Sequence, residues 1–221
     1  MRRIVVLLMV LAYGWANGFC VEPTNTSVLS VSALKPFWGV RMGLHYGIPD
    51  NERNLVHKMA ALDVSVGAEA GVVYHKPLSW RWFIEPGAYF YYRKMQLYDD
   101  LYNRYIDSGW LDQFGVTIPV NVGYSFPLKK KSFDIHSGPM LDVGIYGKEK
   151  VNFSGDDFDI SRNAYHTFSR VNMLWNIGIA FYGRKFGVAI DYAPGLTNFY
   201  RAKDLKANNS IMRISVYYNF R

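Results

Sequence analysis

Residues 81–93 read Arg81-Trp82-Phe83-Ile84-Glu85-Pro86-Gly87-Ala88-Tyr89-Phe90-Tyr91-Tyr92-Arg93. Taken in alternation, one set is Trp82, Ile84, Pro86, Ala88, Phe90 and Tyr92. The other is Arg81, Phe83, Glu85, Gly87, Tyr89, Tyr91 and Arg93. A β-strand sends successive side chains to opposite faces, so all the charge falls on one face. The uncharged face begins and ends with an aromatic residue. Soluble half-buried strands alternate too. A strand facing lipid adds two demands: no charge at mid-depth, and aromatics where the bilayer meets water.

The pattern recurs in eight segments. They lie near 38–46, 62–74, 81–93, 114–125, 133–145, 171–182, 186–192 and 212–220. Tilted membrane strands need about 9–11 residues, and the segments are of roughly that length. Where a segment holds several charges they share a face: Asp63 with Glu69, Arg81 with Glu85 and Arg93, Asp134 with Asp142. Connections alternate between short (75–80, 126–132, 183–185) and long (47–60, 94–110, 147–169, 193–210). Short periplasmic turns and longer outer loops have this rhythm. The predicted fold is all-β, an eight-stranded antiparallel up-and-down transmembrane β-barrel over residues 36–221. Pro86, Pro119 and Pro139 interrupt it, since proline cannot donate to a ladder, and are expected at bulges or local breaks.

Composition agrees with this reading. Of 221 residues half are hydrophobic and 17% aromatic, yet the mean hydropathy is only −0.07. Apolar runs of about 20 residues, the mark of polytopic helical membrane proteins, do not occur. The formal charge of +7 suggests nucleic acid, but the chain begins with an export address. Arg2 and Arg3 precede an apolar core from Ile4 to Tyr13, followed by Gly14-Trp15-Ala16 and Ala16-Asn17-Gly18. This is a signal peptide over residues 1–18, cleaved after Ala16 or Gly18, with an N-terminal lead at 19–35. Cys20 follows Phe19, which does not fit a lipid-attachment box. A single cysteine excludes an intrachain disulfide and a multi-cysteine zinc site.

Several short stretches resemble the PorT-like outer-membrane β-barrel family of Bacteroidetes-type bacteria. They are Glu85-Pro86-Gly87, Ile118-Pro119-Val120, Gly138-Pro139-Met140-Leu141, Asn176-Ile177-Gly178 and the strand exit Tyr192-Ala193-Pro194-Gly195-Leu196-Thr197-Asn198. The end, Tyr217-Tyr218-Asn219-Phe220-Arg221, resembles the aromatic signal read by barrel-assembly machinery, with Arg221 added after the Phe. The resemblance covers residues 36–221. It implies an eight-stranded barrel in the bacterial outer membrane, whose members include proteins linked to secretion of surface proteins. Expected partners are therefore outer-membrane lipid, the assembly machinery through the C-terminal strand, and a secretion or surface protein.

The inner face should carry Arg41, Arg81, Arg93 and Arg213 against Asp63, Glu69, Glu85, Asp142 and Asp191. In a lumen of eight strands, just wide enough for side chains to fill, such charges pair into a closing ion network. A catalytic reading centres on Asp134-Ile135-His136-Ser137. Strand parity places Ser137 opposite His136, so nucleophile and base cannot meet. Gly155-Asp156-Asp157-Phe158-Asp159-Ile160-Ser161 lacks the glycine and closing Glu of a calcium loop. No catalytic, cofactor or metal residue is assigned. Tyr98, Leu101, Tyr102 and Tyr105 fall at i, i+3, i+4 and i+7, one face of a short helix, with Trp110 following. That loop either contacts a partner or glycan, or folds onto the barrel rim. Two alternatives stay open: a soluble exported lipocalin-like binding barrel, with the faces inverted, and a lipid-modifying enzyme. The short turns hold Lys76, Lys129, Lys130, Lys131, Arg184 and Lys185, so the basic excess is expected to face the periplasm.

Overall fold

The computed structural model describes residues 36–51, 61–78, 80–98, 106–128, 131–153, 159–183, 185–201 and 207–220. Residues 1–35, which hold the expected signal peptide and lead, lie outside them. The strands are β1 (Phe37–Asn51), β2 (Ala61–Pro77), β3 (Trp82–Tyr98), β4 (Ile106–Leu128), β5 (Lys131–Phe153), β6 (Asp159–Asn163), β7 (Val171–Tyr182), β8 (Phe186–Ala193) and β9 (Ala207–Phe220). Every neighbouring pair is antiparallel. β4 pairs with both β3 and β5, and β1 pairs with both β2 and β9, so eight strands close a ring. β6, not foreseen as a strand, folds back on the far end of β5 from Lys148↔Asn163 to Asn152↔Asp159.

Burial is inverted relative to a soluble barrel. Arg41, Arg93 and Arg213 are almost wholly buried (0–2% exposed), whereas Leu44, Phe186 and Ile214 are 63–68% exposed. Strand β7 shows the parity most plainly: Val171, Met173, Trp175, Ile177, Ile179 and Phe181 face out, while Asn172, Asn176 and Tyr182 face in. A lipocalin-like barrel needs a wettable exterior, so the soluble-barrel alternative falls to this apolar outer surface. Aromatic residues border it. Trp38, Trp82, Phe126, Phe181, Phe186 and Phe220 lie at the end that holds the short turns, and Tyr46, Tyr92, Phe114 and Tyr146 lie towards the other.

The prolines act as breaks without slippage. β2 and β3 pair at Val73↔Gly87 and resume at Lys76↔Ile84 in the same register, across Pro86. The β3–β4 ladder skips Pro119 between Pro86↔Val120 and Tyr89↔Thr117, and the β4–β5 ladder skips Pro139 between Pro119↔Met140 and Val122↔Ser137. Register shifts occur elsewhere, at Leu62/Ser65, Ile106/Ser108 and Phe114/Gly115. A one-residue irregularity locally increases twist and bends the wall.

Three expectations need correction. Arg81 is not in the wall: it sits exposed in the β2–β3 turn, where Trp80 and Arg81 take φ of 59° and 71°. Positive φ suits the twist of a tight hairpin, so the turn takes Arg81 out of the alternation. The strands also outrun the expected boundaries, β4 and β5 reaching 23 residues each. Beyond the bilayer nothing requires outward residues to be apolar, so the ladder continues after the hydrophobic signal ends. Hence Tyr98 is the last residue of β3, paired with Ala61, and Trp110 is a strand residue opposite Gln96 and Lys150. Neither belongs to a loop helix. Tyr102 and Tyr105 lie outside the described residues, as do residues 154–158 of the acidic loop.

Candidate functional site

The lumen carries the chemistry, in three levels. At the level nearest the short turns, β2 and β3 bring His75 Nδ1 within 2.9 Å of Glu85 Oε2. Tyr182 on β7 donates to the same oxygen at 3.2 Å. His75 is stacked between Phe37 and Phe83, at centroid distances of 4.8 and 4.4 Å. Beside them Ser125 Oγ donates to Asp134 Oδ1 at 2.7 Å.

The middle level joins all eight strands of the ring. The Arg41 guanidinium on β1 donates to Asp191 on β8 and to Tyr217 on β9. It also lies 5.2 and 5.0 Å from the ring centroids of Tyr89 and Tyr217. Glu69 on β2 stands between two arginines, 3.8 Å from Arg41 Nε and 3.6 Å from Arg213 Nη1. Asp191 Oδ1 lies 2.7 Å from His136 Nε2 and accepts from Asn176 Nδ2 at 3.2 Å. Asn176 also donates to Asn121, and its carbonyl oxygen accepts from Arg213. Space for this comes from glycine: a Cβ on Gly178 would lie 2.5 Å from both Asp191 Oδ1 and His136 Nε2.

At the level nearest the long loops, Arg93 Nη2 lies 2.7 Å from Asp142 Oδ2, and Arg93 Nε donates to Gln113 Oε1 at 2.7 Å. The guanidinium lies 4.6 Å from the Tyr91 ring centroid and 6.0 Å from that of Phe199. Met95, Leu111, Ala164, Phe168, Phe199, Tyr200 and Ala207 form an apolar cap above it. Met95, Leu111 and Ala207 join it from β3, β4 and β9, and the other four come from inward-folded connections: a 3-10 turn at Ala164–His166, and an antiparallel bridge between Phe168 and Tyr200. At the rim Glu149 accepts two bonds from Arg162, at 2.9 and 3.1 Å. That pairing raises the guanidinium above its ordinary value.

Seven of the nine expected wall residues are therefore buried in the lumen: Arg41, Glu69, Glu85, Arg93, Asp142, Asp191 and Arg213. Arg81 is not, and the Asp63 side chain lies outside the described residues. The histidines 45, 75 and 136, the amides Gln113, Asn121 and Asn176, and Asp134 were not assigned to the network. Their inward parity was the available signal. Between the middle and upper levels lies a cavity of about 10 Å³ lined by His45, Glu69, Tyr91, Arg93, Thr117 and Arg213. That is about the space of one water molecule, not of a hydrated ion pathway.

The suspected catalytic cluster is divided by the wall. His136 faces in and engages Asp191, while Ser137 faces out and accepts from Trp175 Nε1 at 2.8 Å. Among the described residues, no three His, Cys, Asp or Glu side chains converge as metal ligands.

A closed eight-stranded ring with an apolar outside and a charged, filled inside agrees with comparison to known proteins. The outer membrane protein beta-barrel domain family matches residues 30–201. The chain belongs to that family. It is an outer-membrane protein, and its apolar face lies against outer-membrane lipid. No curated protein matches the sequence. Solved structures similar to it include Ail of Yersinia pestis in complex with the heparin analogue sucrose octasulfate, at 12% identity and a TM-score of 0.44. That match covers 85% of this chain and all of Ail. Neisserial surface protein A is similar at 9% identity and a TM-score of 0.41, over 83% of this chain and 97% of that one. The N-terminal barrel of Pseudomonas aeruginosa OprF is similar at 9% identity and a TM-score of 0.31, over 82% and 97%.

Proposed function

We propose that this protein is a closed, non-conducting barrel of the PorT-like type, with a structural and interaction role in the envelope. Its work is to assist secretion of surface proteins or to present its outer loops. The observation that carries this reading is the occluded lumen: ion pairs fill it at two levels and an aromatic cap covers it. The lumen network is a plug that holds the wall in register. The reading assigns no catalytic residue and no cofactor, in keeping with the separation of His136 from Ser137 by the wall.

The same reading extends to parts of the chain outside the barrel wall. Residues 1–18 direct export and are removed after Ala16 or Gly18, and residues 19–35 form a lead before the barrel. Phe220, on the outer face of the last strand, is the residue the barrel-assembly machinery reads. Tyr98, at the end of β3, and Tyr102 and Tyr105, in the outer connection that follows it, are the contact residues at this rim.

Two measurements test the proposal. Purified protein in planar bilayers should give no stepwise ion conductance, and porin-like steps would overturn the closed reading. A deletion strain should lose a defined set of secreted or surface proteins. An unchanged secreted and surface profile would remove the secretion role. Alanine at Tyr98, Tyr102 and Tyr105 should then reduce partner capture while the folded barrel stays intact.

A further inference from the structure

The outer face of β3, β4 and β5 changes character just beyond the aromatic border. Tyr92, Phe114 and Tyr146 are cross-strand neighbours there. The next outward row is Lys94, Asp112 and Lys148, and the one after it is Gln96, Trp110, Lys150 and Ser161. Each row adds two residues, about 7 Å along a strand and less along the bilayer normal because the strands tilt. On β3 the apolar set from Trp82 to Tyr92 matches the height of an outer-membrane barrel's apolar band, roughly 25 Å. The lysines therefore stand at headgroup depth, at the end of the barrel away from the short periplasmic turns.

Among the described residues the three lysines outnumber the one carboxylate in these rows, Asp112. Lys94 Nζ lies 4.8 Å and Lys150 Nζ 5.7 Å from the Trp110 ring centroid, so two ammonium groups flank one indole. Among the described residues no carboxylate forms an ion pair with Lys94, Lys148 or Lys150. Asp112 accepts from the Tyr92 hydroxyl at 3.0 Å, and Glu149 is turned inward to Arg162. Followed through the ladder from Lys94, the same outward row continues as Val66, Tyr46, Met212 and Tyr192 on β2, β1, β9 and β8, none of them charged. Among the described residues the positive charge is thus one sector of the wall, not a uniform belt.

We propose that this sector, centred on Lys94, Trp110, Lys148 and Lys150, binds the phosphorylated sugar headgroup of an outer-leaflet glycolipid. The ammonium groups take phosphate, and the indole with the exposed Tyr92 and Tyr146 rings covers sugar C–H surface. The acyl chains then lie on the apolar band directly below. This goes beyond the closed-barrel reading and stands on different residues.

The test uses the folded full-length mature protein in phosphatidylcholine vesicles doped with bisphosphorylated lipid A, dephosphorylated lipid A or phosphatidylglycerol. Bound lipid is counted by native mass spectrometry after extraction into mild detergent. Wild type should retain bisphosphorylated lipid A over the other two. Lys94→Gln, Lys148→Gln and Lys150→Gln together should lower that retention by at least tenfold, since each surface lysine contributes about fivefold. Lys150→Gln alone should lower it about fivefold and serves if the triple variant folds poorly. Equal retention by wild type and the lysine variants overturns the site. Equal retention of phosphatidylglycerol and lipid A by wild type overturns its selectivity for a sugar phosphate.

Discussion

Arg93 and Asp142 are 49 residues apart, with all of β4 between their strands, yet Nη2 and Oδ2 meet at 2.7 Å inside the barrel. Removing Asp142 leaves a buried guanidinium without its counter-charge. Asp142→Ala should cost about 3–5 kcal/mol of unfolding free energy, read from urea titrations of the refolded barrel in micelles. Arg93→Met combined with Asp142→Ala should cost less than the two single changes added together. Strict additivity would show that the two side chains are not coupled.

Gly178 makes room for the closest part of the middle level. A methyl group there would press on Asp191 Oδ1 and His136 Nε2. Gly178→Ala should destabilise the barrel by about 1–3 kcal/mol, as overpacking does in dense interiors. Its heat-induced shift in gel mobility should then occur at a lower temperature. An unchanged shift temperature would mean that this level yields to the methyl group.

Met42, Val216 and Val188 form one outward row across β1, β9 and β8, midway between the aromatic borders. Val216→Arg should cost about 2–4 kcal/mol in a phospholipid bilayer. Met212→Arg, near the outer border, should cost only about 0–1 kcal/mol. Equal costs at the two depths would be incompatible with this placement of the bilayer.

Phe199 closes the cap over Arg93, with Phe168 at a centroid distance of 5.2 Å. Phe199→Ala should loosen the inward-folded connections without opening the ring. Limited proteolysis should cut within residues 194–206 faster than in wild type, while gel mobility of the unheated barrel stays the same. Loss of that mobility would show the cap to be part of the barrel's folding core.

The lipid-facing half of the fold was legible because lipid enforces a strict rule. Ile177, Val188 and Ile214 recur at every second position, and no charge interrupts them at mid-depth. Above the bilayer the rule lapses. Lys94, Gln96, Trp110 and Asp112 face outward on continuing strands, so those extensions read as loops. The site was half legible: parity placed Arg41, Glu69 and Asp191 inside together. Which of them touch depends on strand stagger and on irregularities such as Phe114/Gly115, and neither follows from local sequence. Arg81 was misplaced because a hairpin turn, not the strand, sets its backbone.

The seam of the ring runs from Trp38↔Phe220 to Asn51↔Ala207, joining β1 to β9, the two described strands farthest apart in the chain. Until β9 emerges, β1 and β8 each offer a bare row of amide and carbonyl groups, and such edges invite pairing with other chains. A transcript cut short by even this one strand thus encodes a sticky open sheet rather than a smaller barrel. Closure thus waits on β9: a product lacking that strand keeps two open edges and has no closed form to hide in.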